Sequence, residues 1–473
     1  MTFSINVLRS GFVAFDTENS VVTNGTYIEL EKFVPHFGYN PYLEIDDERL
    51  RKTEGLSPYQ IPNVSDNKYN LIDLETTIST NADQQVVTVG TLQKSWQAND
   101  RSYFSYKTEK PINFMFALSS AKYQIKKENY KGIAIKVYYH LGHEYNVKTM
   151  FNAIKNTLDY GNANFSVYPL KQFTLAEIPH YKGAATAYPG VVFNAERINY
   201  LTDYSDENSV NQSYAITAHE VAHQWWANIL TPADTMGYAM LTESLAKYTE
   251  SVLLEKKYGK MYLRNYLRDD NNLYFIFRNP NEKELPLAKT YGQNHVHYQK
   301  GGLVMYAMKE LLGEKLVNKK LAELIAKHRN PNRKAVTQDL IVALLKEAPA
   351  NQRQFINESF NQVVDYKIEL TVLESKLLPN GKCSVNLQVN VGKNKQGDEK
   401  LLATDMDIDI AFYDQHQLAL NSNSKPFYLQ KHRFNQRKTN LKIIVDHKPQ
   451  TIAIDPFGYL LDANLKDNIV EVK

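Results

Sequence analysis

Apolar positions along the chain follow two different periods. From Met1 to about Leu141 they recur at every second residue in short runs such as "QQVVTVGTL" and "IAIKVYYHL". Asn-Gly, Pro and Asp signals break these runs, as turns break half-buried β-strands. The opening "MTFSINVLRSGFVAF" alternates through Phe3, Ile5 and Val7, which predicts a chain that starts inside a strand, as a piece of a longer protein does. Within this region "EIDDERLRKTEGL" reads as a short surface helix. From about Val147 ("VKTMFNAIKNTLDY") the period becomes helical and stays so to about Val364, interrupted by the strands "QFTLAEIP" and "GVVFNAE". After Asp365 the period of two returns in "KCSVNLQVNV", "MDIDIAFY", "LKIIVDH" and "TIAIDP", a spacing of strands and polar turns that predicts a small β-sandwich. The fold class expected is multidomain α+β, with an N-terminal β-domain over 1–142, an α-rich domain over 143–365 and a C-terminal β-sandwich over 366–473.

Composition narrows the classes of function. A chain of 473 residues is too long for one compact core. Its net charge is +3 and no block of Lys and Arg stands out, which argues against a nucleic-acid partner. The single cysteine, Cys383, excludes an internal disulfide. No run approaches the roughly 18 to 20 apolar residues of a membrane helix. Asn6 and Arg9 interrupt any signal-peptide core at the start.

Candidate chemistry centres on "AITAHEVAHQWWANIL". On a helix His219 and His223 lie four apart on one face, a spacing that suits two nitrogen ligands of Zn2+. Glu220 follows the first of them and can act as a general base. Taken alone the motif also fits a buried helix with incidental histidines. A third ligand is expected on a following helix. In "LTESLAKYTESVLLEKKYG" the apolar stripe is Leu241, Leu245, Tyr248 and Val252, and Glu243 falls off it, on a strip with Lys247 and Glu250. The competing reading pairs Glu243 with Lys247 in solvent. Two histidines and a glutamate would leave one coordination position open, as in a catalytic rather than a structural zinc site. In "HVHYQKGGLVMYAMKELLGE", Tyr298 opens a helix from which its hydroxyl could reach a developing oxyanion, and the paired glycines allow close backbone approach. The competing role is a packing tyrosine. His295 and His297 are expected to be structural or exposed.

These residues together resemble the zinc aminopeptidase family of aminopeptidase N and leukotriene hydrolase. "HEVAHQWW", "LTESLAKY" and "YQKGG" are similar in order and distance to that family's HExxHQW, LNEG-type helix and YEKG. The likeness extends through "NGTYIELEKFVPHFGYNP", "SYFSYKTEKPI", "YYHLGHEYNVKTM", "TAYPGVVF" and "IDPFGYLLDANLKDN" to a bacterial branch in which this module is fused behind an ABC-transporter permease. The resemblance implies a saddle-like β-domain (shorter here than in a complete aminopeptidase), a thermolysin-like catalytic domain and a β-sandwich. It implies one Zn2+ per chain held by His219, His223 and Glu243, with Glu220 as base and Tyr298 on the oxyanion. It also implies a peptide substrate, a permease region upstream in the full protein, and a place at the bacterial inner membrane, with the periplasmic side favoured and the cytoplasmic side as the alternative.

Two departures qualify that expectation. Nineteen residues separate His223 from Glu243 where the family usually has eighteen, an extra loop residue that is easily absorbed. The larger one is upstream. Family members hold the substrate's free α-amine with the glutamate of a GxMEN-type segment; here the corresponding loop, expected to contact substrate through Ala187, Tyr188 and Gly190, has Ala187 in the glutamate's place, and no acid occurs between Ile178 and Glu196. Gln84 or Gln85 would stand near a second amine contact, and Glu196 or a residue of an upstream segment could replace the anchor. The sequence therefore points to a zinc metallopeptidase of aminopeptidase type with a weakened or altered amine anchor. The alternative is a peptide-binding or gating ectodomain of a transporter with little turnover.

Overall fold

The computed structural model describes residues 21–22, 25–34, 45, 47–58, 71–179, 185–206, 209–279, 281–329 and 334–473. The strand expected through Phe3–Val7 lies outside them. The chain packs as two compact units, one of residues 1–206, 211–235 and 325–335, the other of 207–210, 236–324 and 336–473.

The first unit opens with a four-stranded sheet in the order Val21–Val22, Gly25–Ile28, Leu118–Ala121, Gln85–Thr88, and a three-stranded sheet of Glu75–Asn81, Arg101–Lys107 and Thr91–Ala98. The turn between the last two is Asn99-Asp100, both at positive φ (50° and 56°). That is the twist a two-residue hairpin needs, and Asn and Asp tolerate it. The predicted surface helix is present as Glu48–Thr53, capped by the Asp47 carboxylate on the Leu50 N–H at 2.7 Å.

A five-stranded sheet forms the centre of this unit, ordered Ala185–Tyr188, Val191–Ala195, Gln172–Ile178, Ile133–Tyr139, Gln124–Tyr130. The middle three strands are parallel and the two outer ones antiparallel. Parallel neighbours need a crossover, and the helix Val147–Asn164 supplies it between Ile133–Tyr139 and Gln172–Ile178. One face of the sheet carries Tyr138, Ala176, Ile178, Tyr188, Val191 and Phe193 into a core shared with Tyr27, Val87 and Phe116. The other carries Val137, Leu175 and Val192, all fully buried. Burial on both faces explains why apolar residues stand side by side in the predicted "QFTLAEIP" and "GVVFNAE", as Leu175 with Ala176 and Val192 with Phe193, rather than in strict alternation.

The second unit holds the helices Leu245–Tyr258, Lys260–Phe277 and Gly301–Leu312 and two four-stranded sheets. In one sheet the long strands Val364–Leu377 and Cys383–Lys395 pair antiparallel, with a bulge between Val372 and Glu374, and Lys438–Val445 flanks them. In the other Met406–Tyr413 lies between Tyr428–Phe434 and Thr451–Ile454. On Cys383–Lys395 the alternating Val385, Leu387, Val389 and Val391 are buried as predicted, whereas Met406–Tyr413 is buried on both faces, Asp409, Ala411 and Tyr413 as well as Ile408, Ile410 and Phe412. Cys383 is a buried free thiol.

Candidate active site

In the first unit the motif helix runs Gln212–Ala222. Asn211 caps it, its side-chain oxygen accepting the Tyr214 N–H at 2.9 Å. Trp225 fixes the far end: its indole N–H donates to the Ser166 carbonyl at 2.8 Å. The indole also lies flat over Gly161 of the helix Val147–Asn164, where a Cβ would meet Trp225 Cζ2 at 2.4 Å. A helix held at both ends presents its ligands without further ordering.

His219 and His223 stand side by side with ring centroids 4.8 Å apart and planes nearly perpendicular. Their Nε2 atoms are 3.2 Å apart. The Trp226 carbonyl lies 2.8 Å from His223 Nδ1, which places that ring's proton on Nδ1 and its lone pair on Nε2. Two nitrogens at zinc distances of about 2.0–2.1 Å, subtending a tetrahedral angle, would be about 3.3–3.4 Å apart. The pair fits Zn2+. Both rings and Glu220 are over nine-tenths buried, at 7%, 8% and 7% exposure.

The loop expected to lack an amine anchor is an edge hairpin. Ala187 lies on its outer strand opposite Val192 and is buried. Tyr188 was expected to face substrate; instead it enters the core, its hydroxyl 3.3 Å from that of Tyr27 and its ring against Phe193. Pro189-Gly190 makes the turn, with Gly190 at φ +74°. Gln224, which carried no expected role, clamps this turn to the end of the motif helix. Its Oε1 accepts the Gly190 N–H at 2.9 Å and its Nε2 donates to the Tyr188 carbonyl at 3.0 Å. The glutamine after the second histidine was the signal for it. Gln84 Oε1 accepts from the hydroxyls of Thr80 and Ser120 at 2.7 and 2.8 Å, so its acceptor works within the sheet. Gln85 begins the strand beside it, opposite Ala121.

Glu243 and Tyr298 belong to the second unit, each in a π-helical turn, Met240–Ser244 and Val296–Lys300. Such widened turns re-aim side chains and recur at functional sites. The stripe Leu241, Leu245, Tyr248 and Val252 is fully buried while Glu243 is half-buried. The solvated pair with Lys247 does not form, because Lys247 is not at the surface. Its ammonium sits 3.0 Å from Asp270 and 3.6 Å from Glu250, and the Tyr266 hydroxyl links it to Glu250. The off-stripe strip is thus a buried ionic network, since Glu250 is as buried as the stripe itself. His295 and His297 are buried too, not exposed. Burial pushes His297 down to about 4 against the pull of Glu243, so its ring is neutral.

The two π turns touch. Ser244 Oγ donates to the His297 carbonyl at 2.6 Å, and a Cβ on Gly301 would lie 2.0 Å from that oxygen. Only glycine permits the approach. Gly301→Ala should therefore destabilise the fold by about 1–3 kcal/mol, the range for overpacking a closed interior. Chemical denaturation checks this, and an unchanged midpoint would show that the contact yields without cost.

Parts of this chain are similar to known peptidases. Residues 149–365 match the family model described as "Peptidase family M1 domain". The chain is 28% identical to Aminopeptidase M1 of Arabidopsis thaliana over 222 residues, 45% of this chain and 25% of that protein. It is 25% identical to Endoplasmic reticulum aminopeptidase 2 of Homo sapiens over 189 residues, 37% of this chain and 19% of that protein. Each match takes in a minor part of the longer relative. In fold the chain is similar to Legionella pneumophila aminopeptidase A, solved in complex with aspartic acid, with a TM-score of 0.56, 17% identity, and coverage of 82% of this chain and 44% of that one. The segment that matches this M1 peptidase model contains the motif helix, Glu243 and Tyr298, so the candidate site lies within the part of the chain that is similar to M1 peptidases.

Proposed function

We propose that the chain hydrolyses peptide bonds as a zinc-dependent, aminopeptidase-like enzyme whose amine anchor is altered. The observation that carries this reading is the buried imidazole pair, with Nε2 atoms 3.2 Å apart and the His223 tautomer fixed by a backbone carbonyl. His219, His223 and, from the sequence order, Glu243 would hold one Zn2+. When bound, Zn2+ supplies a Lewis acid that polarises the scissile carbonyl and acidifies water. Glu220 takes the proton of the attacking water and delivers it to the leaving amine. Tyr298 donates its hydroxyl to the developing oxyanion, and Gln224 holds the edge hairpin against the end of the motif helix.

A methyl at Ala187 removes a charge-assisted contact worth roughly 1.5–3 kcal/mol to a substrate ammonium. Peptides of equal sequence with free and acetylated N-termini should therefore differ by less than about tenfold in kcat/KM, or about 1.4 kcal/mol. Ala187→Glu should widen the gap in favour of the free amine. Strong discrimination by the unaltered chain would show that another acid takes the anchor's place.

The same alanine favours a second reading, a peptide-binding or gating domain with little turnover, attached behind a permease at the periplasmic face of a bacterial inner membrane. Among the described residues no helix is long and apolar enough to cross a membrane. Zinc content together with turnover of a peptide library separates the two. Metal without turnover selects the binder; metal with turnover selects the enzyme.

A further inference from the structure

The carboxyl ends of the three parallel strands in the first unit carry a group of chemically active side chains that the proposed hydrolysis does not use. Glu177 is near the end of Gln172–Ile178, Glu196 follows Val191–Ala195 on one side, and His143 lies in the loop after Ile133–Tyr139 on the other. One ligand atom from each lies within 4.8 Å of the others. The ends of adjacent parallel strands are where open α/β sheets bind ligands, because the connecting loops diverge there and leave a crevice.

Burial makes the group unusual. The Glu177 carboxylate is wholly enclosed, yet among the described residues neither a lysine nor an arginine pairs with it. It accepts the His140 backbone N–H at 2.7 Å and makes a short hydrogen bond with His143 Nδ1. Burial pushes its carboxyl up to about 7, and the neighbouring Glu196 adds to the rise. A buried carboxylate whose side-chain partner is an imidazole rather than a lysine or arginine is favourably placed to take a cation.

The polar groups around the cluster are unsatisfied in the same way. Asn194 is fully buried, sits opposite Glu177 in the strand register and so on the same face of the sheet, and neither atom of its amide finds a partner among the described residues. The buried Tyr200 hydroxyl, which feels the Glu177 charge, and His140 Nε2 are likewise without one. His140 lies beside His143 with ring centroids 5.8 Å apart. Orphaned buried donors and acceptors are rare, and three around one carboxylate point to a bound ion with its water.

We propose that His143, Glu177 and Glu196 form a second divalent-cation site, separate in its residues from the histidine pair of the motif helix. Two carboxylates and one imidazole suit a first-row transition ion, Zn2+ or Mn2+, better than Ca2+ or Mg2+, which take oxygen ligands alone. The cation replaces the proton shared by Glu177 and His143, so binding releases that proton. Its role is structural. It ties the loop after Ile133–Tyr139 to the strand that continues the Gln224-clamped hairpin.

The test is calorimetric titration of Zn2+, and separately Mn2+, into the chelator-stripped full chain, with far-UV circular dichroism to confirm folding. The wild-type chain is expected to take up two Zn2+ ions. His223→Ala should keep one, His143→Ala and Glu196→Gln should each keep one, and the His143→Ala/His223→Ala double variant none. His143 and Glu196 are partly exposed, so these substitutions spare the core. A wild-type chain that binds one ion, lost in His223→Ala, overturns the proposal and leaves the hydrolytic reading intact. So do folded His143→Ala and Glu196→Gln chains that still take up two.

Discussion

Glu220→Gln is expected to retain zinc and lose activity by a factor of roughly 10²–10⁴, the range for removing a general acid–base group. The amide keeps the size and burial of the carboxylate but cannot take a proton from water. His223→Ala is the contrast: it removes one member of the imidazole pair and should lose the metal itself along with turnover. Elemental analysis and kcat measured on both variants separate the roles. The Asn211 cap and the packing of Trp225 on Gly161 involve neither substituted side chain, so both variants are expected to fold. Two variants equally free of zinc would mean that Glu220 is a ligand. Two variants equally active would mean that the chemistry lies elsewhere.

Tyr298→Phe is the second large effect. A hydroxyl that meets charge only as it develops on the oxyanion contributes to the transition state and not to substrate binding. Its loss should lower kcat by roughly 10²–10³ with little change in KM. Tyr298 is half-buried in a π-helical turn, unlike the fully enclosed Tyr248, Tyr274 and Tyr306 of the same unit. A packing tyrosine there would behave differently: the phenylalanine variant would keep kcat and shift only the unfolding midpoint. Measuring both quantities on one preparation decides between the roles.

Much of the protein was legible without coordinates because its strongest signals are local. The spacing of His219 and His223 is a property of one helical turn. The stripe Leu241, Leu245, Tyr248 and Val252 is an apolar period, and all four side chains are buried as it requires. The alternating strands of the C-terminal region, the short helix after Asp47 and the absence of acid from the hairpin loop follow from order along the chain. The same local reading misjudged Lys247 and Glu250. Charge and helical position suggested a solvated face, but Asp270 and Tyr266, about twenty residues on, turn that face into an interior. It misjudged Tyr188 for the same reason, since the core that receives its ring is built by Tyr27 and Phe193 from two other strands.

What the sequence by itself determined, then, is which residues carry chemistry: periodicity and motif spacing are set by bonds between near neighbours, and a helix or strand cannot present them otherwise. Which way those residues face, and what they meet, only the tertiary structure decided. The tautomer of His223, the Gln224 clamp, the closeness of Gly301 to Ser244 and the gathering of His143, Glu177 and Glu196 at the ends of three strands all join segments distant in the chain. Such contacts arise because burying apolar faces brings strands and helices together, and the polar groups carried inward must then find partners where packing has placed them.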